Sequence, residues 1–252
     1  MKRYITSLAL VVLGFCSLAL QAIDIDSMKD IKQYITDTDT LIVFDIDNTL
    51  LTPPTDLGSD QWFSYLVQEK VNRGMSRAEA VAQVLPLYYH VHSIVDLIST
   101  EASLHEHITL LKQHCDYSLC LTARSLPMVE KTVEQLNNNK LIFHDSEHQE
   151  RELGLAHPSL YKDGVLFCGM NDKGEVLLRF LELIDYHPKA IIFVDDKEKY
   201  LASVEAAARK MNIKFVGLRY TRCDNRVIAY NHEATQQELQ EFLAQYPHQA
   251  KA

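Results

Sequence analysis

A chain of 252 residues with 47% hydrophobic and 23% charged side chains has an ordinary globular composition, enough for one substantial domain or a core with a smaller companion. Its net charge of −9 excludes nucleic acid as a default partner, because phosphate backbones are held by clustered Lys and Arg. A small anionic ligand stays compatible, since one local positive centre can serve it on an acidic surface.

Lys2 and Arg3 open the chain, Ile5 to Ala19 carries no charge, and "LQA" ends at Ala22 before the acidic "IDID". This order reads as a secretory signal peptide, residues 1–22, cut after Ala22. An uncleaved anchor is one rival reading, since Ile5 to Ile23 approaches the length of a bilayer span; a lipoprotein signal is the other, disfavoured by the bulky Phe15 before Cys16. Cleavage leaves Cys115, Cys120, Cys168 and Cys223. Such an even set permits disulfides without fixing the pairing. Cys120 and Cys168 lie in apolar runs where plain core packing serves equally well. No CxxC pair is present to suggest a zinc ribbon.

After the leader, "SMKDIKQYITD" reads as a short helix capped by Ser27, and "TLIVFDID" as a buried strand ending in acids. "SDQWFSYLVQEKVNRG" has helical spacing and stops at Gly74. "SRAEAVAQVLPLYYH" opens with Ser76 and Glu79 in a capping-box arrangement, and Pro86 is expected to kink or end that helix. "TEASLHEHITLLKQH" gives a third amphipathic helix. "YSLCLTA" is a second buried strand, "SLPMVEKTVEQLNNN" a helix, "GVLFCG" a strand or flap, and "KGEVLLRFLELI" a helix. "KAIIFVDD" is another strand ending in acids, followed by helix "EKYLASVEAAARKM", strand "IKFVGLRY" and a last helix near "TQQELQEFLAQY". Alternating helices and continuously apolar strands imply a parallel sheet covered on both faces. In such sheets ligands bind beyond the carboxyl ends of the strands.

Those ends carry Asp45 and Asp47, then Thr122, then Asp195 and Asp196, with Lys173 opening the helix before the late strand. Taken singly, an Asp after a strand is a turn former or helix cap. Taken together, the set asks for more. Asp45 and Asp47, two apart in extended chain, are expected on the same side, where their repulsion calls for a cation. Mg²⁺ takes carboxylate, water and phosphate oxygens, Asp195 or Asp196 would complete its shell, and Lys173 would offset the remaining charge. Thr122 is placed to donate to a phosphoryl oxygen.

"DIDNT", "LTAR", "NDKGEVL" and "VDD", in this order from Asp45 to Asp196, resemble the four motifs of the haloacid-dehalogenase (HAD) superfamily. The overall cadence, with "FVDDK" and "GLRYT", is similar to an exported bacterial branch of it. The resemblance implies an α/β fold, a Rossmann-like parallel sheet with a small helical cap inserted after the first motif. It also implies a Mg²⁺-dependent phosphomonoester hydrolase. Asp45 would be the nucleophile that becomes an aspartyl-phosphate, and Asp47 the general acid and then base. Thr122 and Lys173 would orient and neutralise the phosphoryl group. Asp45, Asp195, Asp196 and the backbone carbonyl of Asp47 would hold the metal.

The chain between Asp45 and Thr122 is far longer than one crossover helix needs. Residues 56–100 are therefore expected to form the cap, over a core of residues 23–55 and 101–252. Trp62, Phe63, Tyr65, Tyr88 and Tyr89 are its candidate substrate contacts, each with core packing as the plainer role. Arg124 is a candidate substrate-binding charge, its rival role being an ion pair with an acidic neighbour. The histidines His90, His92, His105, His107, His144, His148 and His157 lack a zinc-site pattern. The expected partner is a small phosphorylated substrate met in the periplasm or after secretion, with no stable membrane insertion once the leader is cut. A phosphotransferase or phosphomutase of the same fold, or a non-catalytic exported binding protein, are the alternatives.

Overall fold

Branched and aromatic side chains on both sides of a strand force both of its faces indoors, and the architecture follows from that demand. The computed structural model describes residues 22–143 and 148–247, so residues 1–21 of the expected signal peptide and His144 lie outside the described residues. The chain runs β1 (Ile23–Ile25), a 3-10 turn (Met28–Tyr34), β2 (Thr40–Phe44) and β3 (Leu51–Thr52). Next come α1 (Asp60–Asn72), α2 (Arg77–Ile94), β4 (Ile98–Ser99), α3 (Leu104–Lys112), β5 (Tyr117–Thr122) and α4 (Val129–Asn138). Then follow β6 (Arg151–Glu152), β7 (Leu160–Lys162), β8 (Val165–Phe167), α5 (Lys173–Leu183), β9 (Ala190–Asp195) and α6 (Glu198–Lys210). The last elements are β10 (Lys214–Tyr220), α7 (Asp224–Ile228) and α8 (His232–Gln245).

One sheet takes the order β1-β10-β9-β2-β5-β8-β7-β6. Its first six strands are parallel, and β7 and β6 add an antiparallel edge. The α/β, Rossmann-like parallel sheet expected from the sequence is the fold. Strand periodicity divides the core. Leu41, Val43, Leu119, Leu121, Ile191 and Phe193 pack on one face with Val176, Phe180 and Val204 of α5 and α6. Ile42, Phe44, Cys120, Ile192 and Val194 pack on the other with Met28, Ile31 and Ile108.

Between β3 and β4, which pair antiparallel as a two-residue stalk, the chain makes a helical hairpin of α1 and α2. Ser59 caps α1 by accepting from Trp62 N, and Ser76 and Glu79 form the complete capping box on α2. The hairpin has its own apolar centre, where Trp62 and Tyr88 stack at 6.2 Å and Phe63 meets Tyr88 at 4.9 Å. Leu239 and Phe242 of α8 join it. Trp62 is thus part of that core, and Tyr65 lies against Tyr230 and His232. Arg226 of α7 donates to Thr52 Oγ1 (3.0 Å), to Pro53 O (2.5 Å) and to Thr55 O, and faces Asp56 at 3.6 Å. The C-terminal segment therefore holds the root of the hairpin.

Several local expectations are corrected, and others that the sequence left open are resolved. Pro86 does not end its helix: α2 continues to Ile94, because Pro86 and Ala82 are exposed and water can satisfy the Ala82 carbonyl that proline leaves unpaired. Ser27 makes no side-chain cap, and the segment after it is a 3-10 turn. "GVLFCG" supplies β8, a strand inside the sheet. Among the described residues Cys115, Cys120, Cys168 and Cys223 are unpaired, Cys120 and Cys168 fully buried. No helix among the described residues is long and apolar enough to cross a membrane.

Helices α5 and α6 touch backbone to backbone at Gly174, where an added Cβ would stand 2.3 Å from the Ser203 carbonyl oxygen. Gly174 N donates to Ser203 Oγ, and that hydroxyl donates to Asp172, the N-cap of α5. Gly174→Ala should destabilise the fold by about 1–3 kcal/mol through overpacking, read by urea denaturation. A midpoint equal to the parent's would mean that the two helices separate freely.

Candidate active site

Strands β2, β5 and β9 lie side by side, so their carboxyl ends bring Asp45, Thr122 and Asp195 to one edge. Asp45 N still donates to Val194 O at 2.9 Å, continuing the ladder by one residue. The chain then turns sharply: Ile46 O accepts from Thr49, Leu50 and Leu51, and Asn48 takes φ 60°, a left-handed conformation that Asn tolerates. The turn sends the two acids apart. Asp45 points to Lys173 and Asp47 to Arg124, which corrects the expectation that their carboxylates face one another across a cation.

Lys173 is the hub. It opens α5 just after the Asp172 cap, is 1% exposed, and sets Nζ 2.5 Å from Asp45 Oδ1 and 2.7 Å from Asp195 Oδ2. The Tyr200 ring lies 4.3 Å from the ammonium. Thr49 Oγ1 donates to Asp45 Oδ2 at 3.3 Å, and Lys197 N to Asp195 Oδ1 at 2.8 Å. Oxygen atoms of Asp45, Asp195 and Asp196 all lie within 4.8 Å of one another, the one such group of potential metal ligands found among the described residues. No histidine belongs to it.

Three carboxylates share that corner with one buried ammonium, so negative charge is in excess. Burial pushes Asp45 up to about 7; Lys173 opposes the rise, while Asp195 and Asp47 add to it. Burial likewise raises Asp196 to about 8, against Lys197 and with Asp45 and Asp195. Burial disfavours the charge on Lys173 as well, but Asp195 and Asp45 outweigh it and raise its pKa. A buried, all-oxygen cluster with surplus negative charge suits a hard divalent cation such as Mg²⁺, and the residues present fit that ion.

Asp47 belongs to a second unit. The Arg124 fork donates from Nε to Asp47 Oδ2 (3.0 Å) and from its terminal nitrogen to Oδ1 (2.7 Å). Burial would raise the Asp47 carboxyl, but Arg124 outweighs it and holds the pKa at about 2. Arg124 thus adopts the rival arrangement, an ion pair, rather than standing free for a ligand. Thr122 is fully buried, its Oγ1 accepting from Arg124 N at 3.2 Å.

Two features escaped the sequence reading. Lys197 pairs with Asp60 at 2.6 Å, tying the first turn of α1 to the loop after β9, and the "VDDK" string was its only trace. Near Asp47 the hairpin also presents Gln61 and His92. His92 Nε2 is bonded to Gly58 O at 2.7 Å, while His92 Nδ1 and Gln61 Nε2 are buried without a protein partner. Burial, helped by Arg124, lowers the His92 pKa to about 4, so the ring is neutral.

Residues 24–251 match the sequence model of a family described as "Protein of unknown function (DUF2608)". The chain belongs to this family. Similar proteins include one from Chlamydia pneumoniae that is provisionally named an outer membrane protein, 25% identical over 93% of this chain and 90% of that one. A Chlamydia trachomatis protein with the same provisional name is 25% identical over 73% of this chain and 70% of its own length. Among solved structures, a haloacid dehalogenase-like family hydrolase from Streptococcus pneumoniae aligns with TM-score 0.45 and 16% identity. That alignment covers 82% of this chain and 98% of the streptococcal one.

The raised carboxyls give this DUF2608 protein a pH signature. Asp45 (about 7) and Asp196 (about 8) hold protons in the folded state that the unfolded chain has released, so stability falls as pH rises from the ordinary carboxylate range through those values. A divalent cation held by this cluster would need both groups ionised and would stabilise only the folded protein. Without Mg²⁺ the melting temperature should drop between about pH 5 and pH 8, and the upward shift given by saturating Mg²⁺ should be larger at the higher pH. A Mg²⁺ shift that is absent at both would remove this cluster as the cation site.

Proposed function

We propose that this protein is a Mg²⁺-dependent phosphomonoester hydrolase of the HAD type, working outside the cytoplasm on a small phosphorylated substrate. One observation carries the reading: a single buried ammonium, Lys173, is shared between Asp45 and Asp195 at 2.5 and 2.7 Å, beside a third carboxylate, Asp196. A structural ion pair needs one acid. Two acids on one lysine with another alongside is an arrangement for charge that arrives with a ligand. The order of the four motif-like segments, from Asp45 to Asp196, supports the same reading.

In this mechanism an Asp45 oxygen attacks phosphorus in line with the leaving oxygen, forming an Asp45–phosphorus bond as the ester bond breaks. Asp47 delivers a proton to the leaving alkoxide. Water then attacks the aspartyl-phosphate, Asp47 takes its proton, and phosphate leaves with Asp45 restored. As placed, Asp47 is a carboxylate, the form that the second step uses, so its protonation for the first accompanies substrate binding. Lys173 orients Asp45 and balances the phosphoryl charge, and the Thr122 hydroxyl donates to a phosphoryl oxygen. Bound at Asp45, Asp195, Asp196 and the Asp47 carbonyl, Mg²⁺ would supply the counter-charge that the dianion needs.

Residues 56–100 serve in this reading as the cap, which limits substrate size. Support comes from the Asp60–Lys197 pair at 2.6 Å, which joins the hairpin to the loop holding Asp195 and Asp196. An exported setting, periplasmic or secreted, is supported by the basic start, the apolar run and Ala22, and by the names of the chlamydial relatives. The net charge of −9 supports a small-molecule substrate over nucleic acid.

Protein comprising residues 23–252 should release phosphate from p-nitrophenyl phosphate and from members of a natural monophosphate panel with Mg²⁺, and not with EDTA. Asp45→Asn should lower kcat at least ~10³-fold, in line with loss of a covalent nucleophile. Folded protein that binds Mg²⁺ yet hydrolyses nothing would overturn the reading.

A further inference from the structure

The second unit of the site has a construction that the hydrolase reading does not use. Arg124 is 5% exposed and lies against α4, where one terminal nitrogen donates to Thr132 Oγ1 at 2.9 Å and to Gln135 Oε1 at 2.8 Å. Its remaining face grips both oxygens of Asp47. Thr132 and Gln135 are themselves buried, at 0% and 1% exposure. Gln135 in turn directs its amide to His92 O (3.4 Å) and Val95 O (3.5 Å), carbonyls at the end of α2 where the helix leaves them without partners. The chain of contacts runs from the end of the hairpin, through Gln135 and Arg124, to Asp47.

Asp47 needs such support. It sits past the end of β2 on a turn, and its side chain is 22% exposed. Nothing in its own segment fixes the carboxylate, whereas a planar guanidinium fork sets both position and plane. A fork with four of its N–H groups engaged in protein contacts is poorly placed to bind a phosphoryl group as well. We infer that Arg124 is a positioning residue for Asp47, held in place by Thr132 and Gln135 and through them by the end of the hairpin. This rests on the reading of Asp47 as the acid and base of the hydrolase.

Leaving groups separate this role from others. p-Nitrophenolate departs without a proton, while an alkoxide, as from glycerol 2-phosphate, needs one from Asp47. Arg124→Met should therefore lower kcat/KM, which reports formation of the aspartyl-phosphate alone, ~10²-fold on glycerol 2-phosphate, as misplacement of a catalytic group does, and under about threefold on p-nitrophenyl phosphate. Its kcat should fall on both wherever hydrolysis of the intermediate, which also uses Asp47, is limiting. Arg124→Lys keeps the charge but loses the fork, and should rescue less than half of that loss. Gln135→Leu should show the same leaving-group selectivity with a smaller amplitude, with melting temperatures recorded for every variant. An equal fall in kcat/KM on both substrates with melting temperatures unchanged would make Arg124 a substrate contact. An equal fall in kcat/KM on both, following the melting temperatures, would make it a structural strut. Either result overturns the inference while leaving the hydrolase standing. A wild-type protein inactive on both substrates overturns the two together.

Discussion

The burial of one lysine among three acids is the constraint on which the rest of the structure turns. Lys173 is almost wholly inside the protein, where an unpaired ammonium would be prohibitively costly. It is tolerable only because Asp45 and Asp195 meet it from neighbouring strands. That meeting demands that β2 and β9 be adjacent and in register, which their ladder provides through Val43 against Phe193 and Phe44 against Val194. It also demands that α5 start at a fixed height above the sheet. The Asp172 cap, the Ser203 hydroxyl and the missing side chain of Gly174 set that height. Packing and chemistry are one problem here, since a shift of α5 against α6 would move the ammonium before it moved anything else.

Two electrostatic units share the edge of the sheet and are pushed in opposite directions. At the Lys173 corner, acids outnumber the cation and burial raises Asp45 and Asp196. At the Arg124 corner a single acid meets a full guanidinium fork and Asp47 is lowered to about 2. Carboxyl groups two residues apart are thus given different environments by a turn of a few residues, and environments that push two acids apart let them take different protonation states at one pH.

Much of this was legible in the sequence, for identifiable reasons. The strands "TLIVF", "YSLCLT" and "AIIFVD" are apolar on both faces, a pattern with one good structural solution. Ser76 and Glu79 announced α2 through a local hydrogen-bond pattern, and such patterns survive any tertiary context. What stayed hidden is non-local or short. β6 and β7, of two and three largely polar residues, carry no periodicity. Pro86 misled because its effect depends on which side of the helix meets water. The divergence of Asp45 and Asp47 rests on Ile46 O collecting three amides, and the choice of Arg124 for Asp47 on loops 77 residues apart in the chain. Gln135 could not be singled out, because on α4 it reads as one more polar position among many.

The strand order has a consequence for when the protein can exist in working form. β2, which leads into Asp45, is flanked by β5 and β9, and β1 at the edge pairs only with β10, so Ile23–Ile25 meet partners at residues 218–220. Contacts of such sequence separation carry a loop-closure cost and form late. A growing chain can pair β2 with β5 once Thr122 has emerged, but it lacks β9 for β2 until Asp195 and β10 for β1 until residues 218–220. The topology is in this sense a timer: the buried Lys173 corner, which takes Asp195 from the end of β9, closes only after most of the chain has been made.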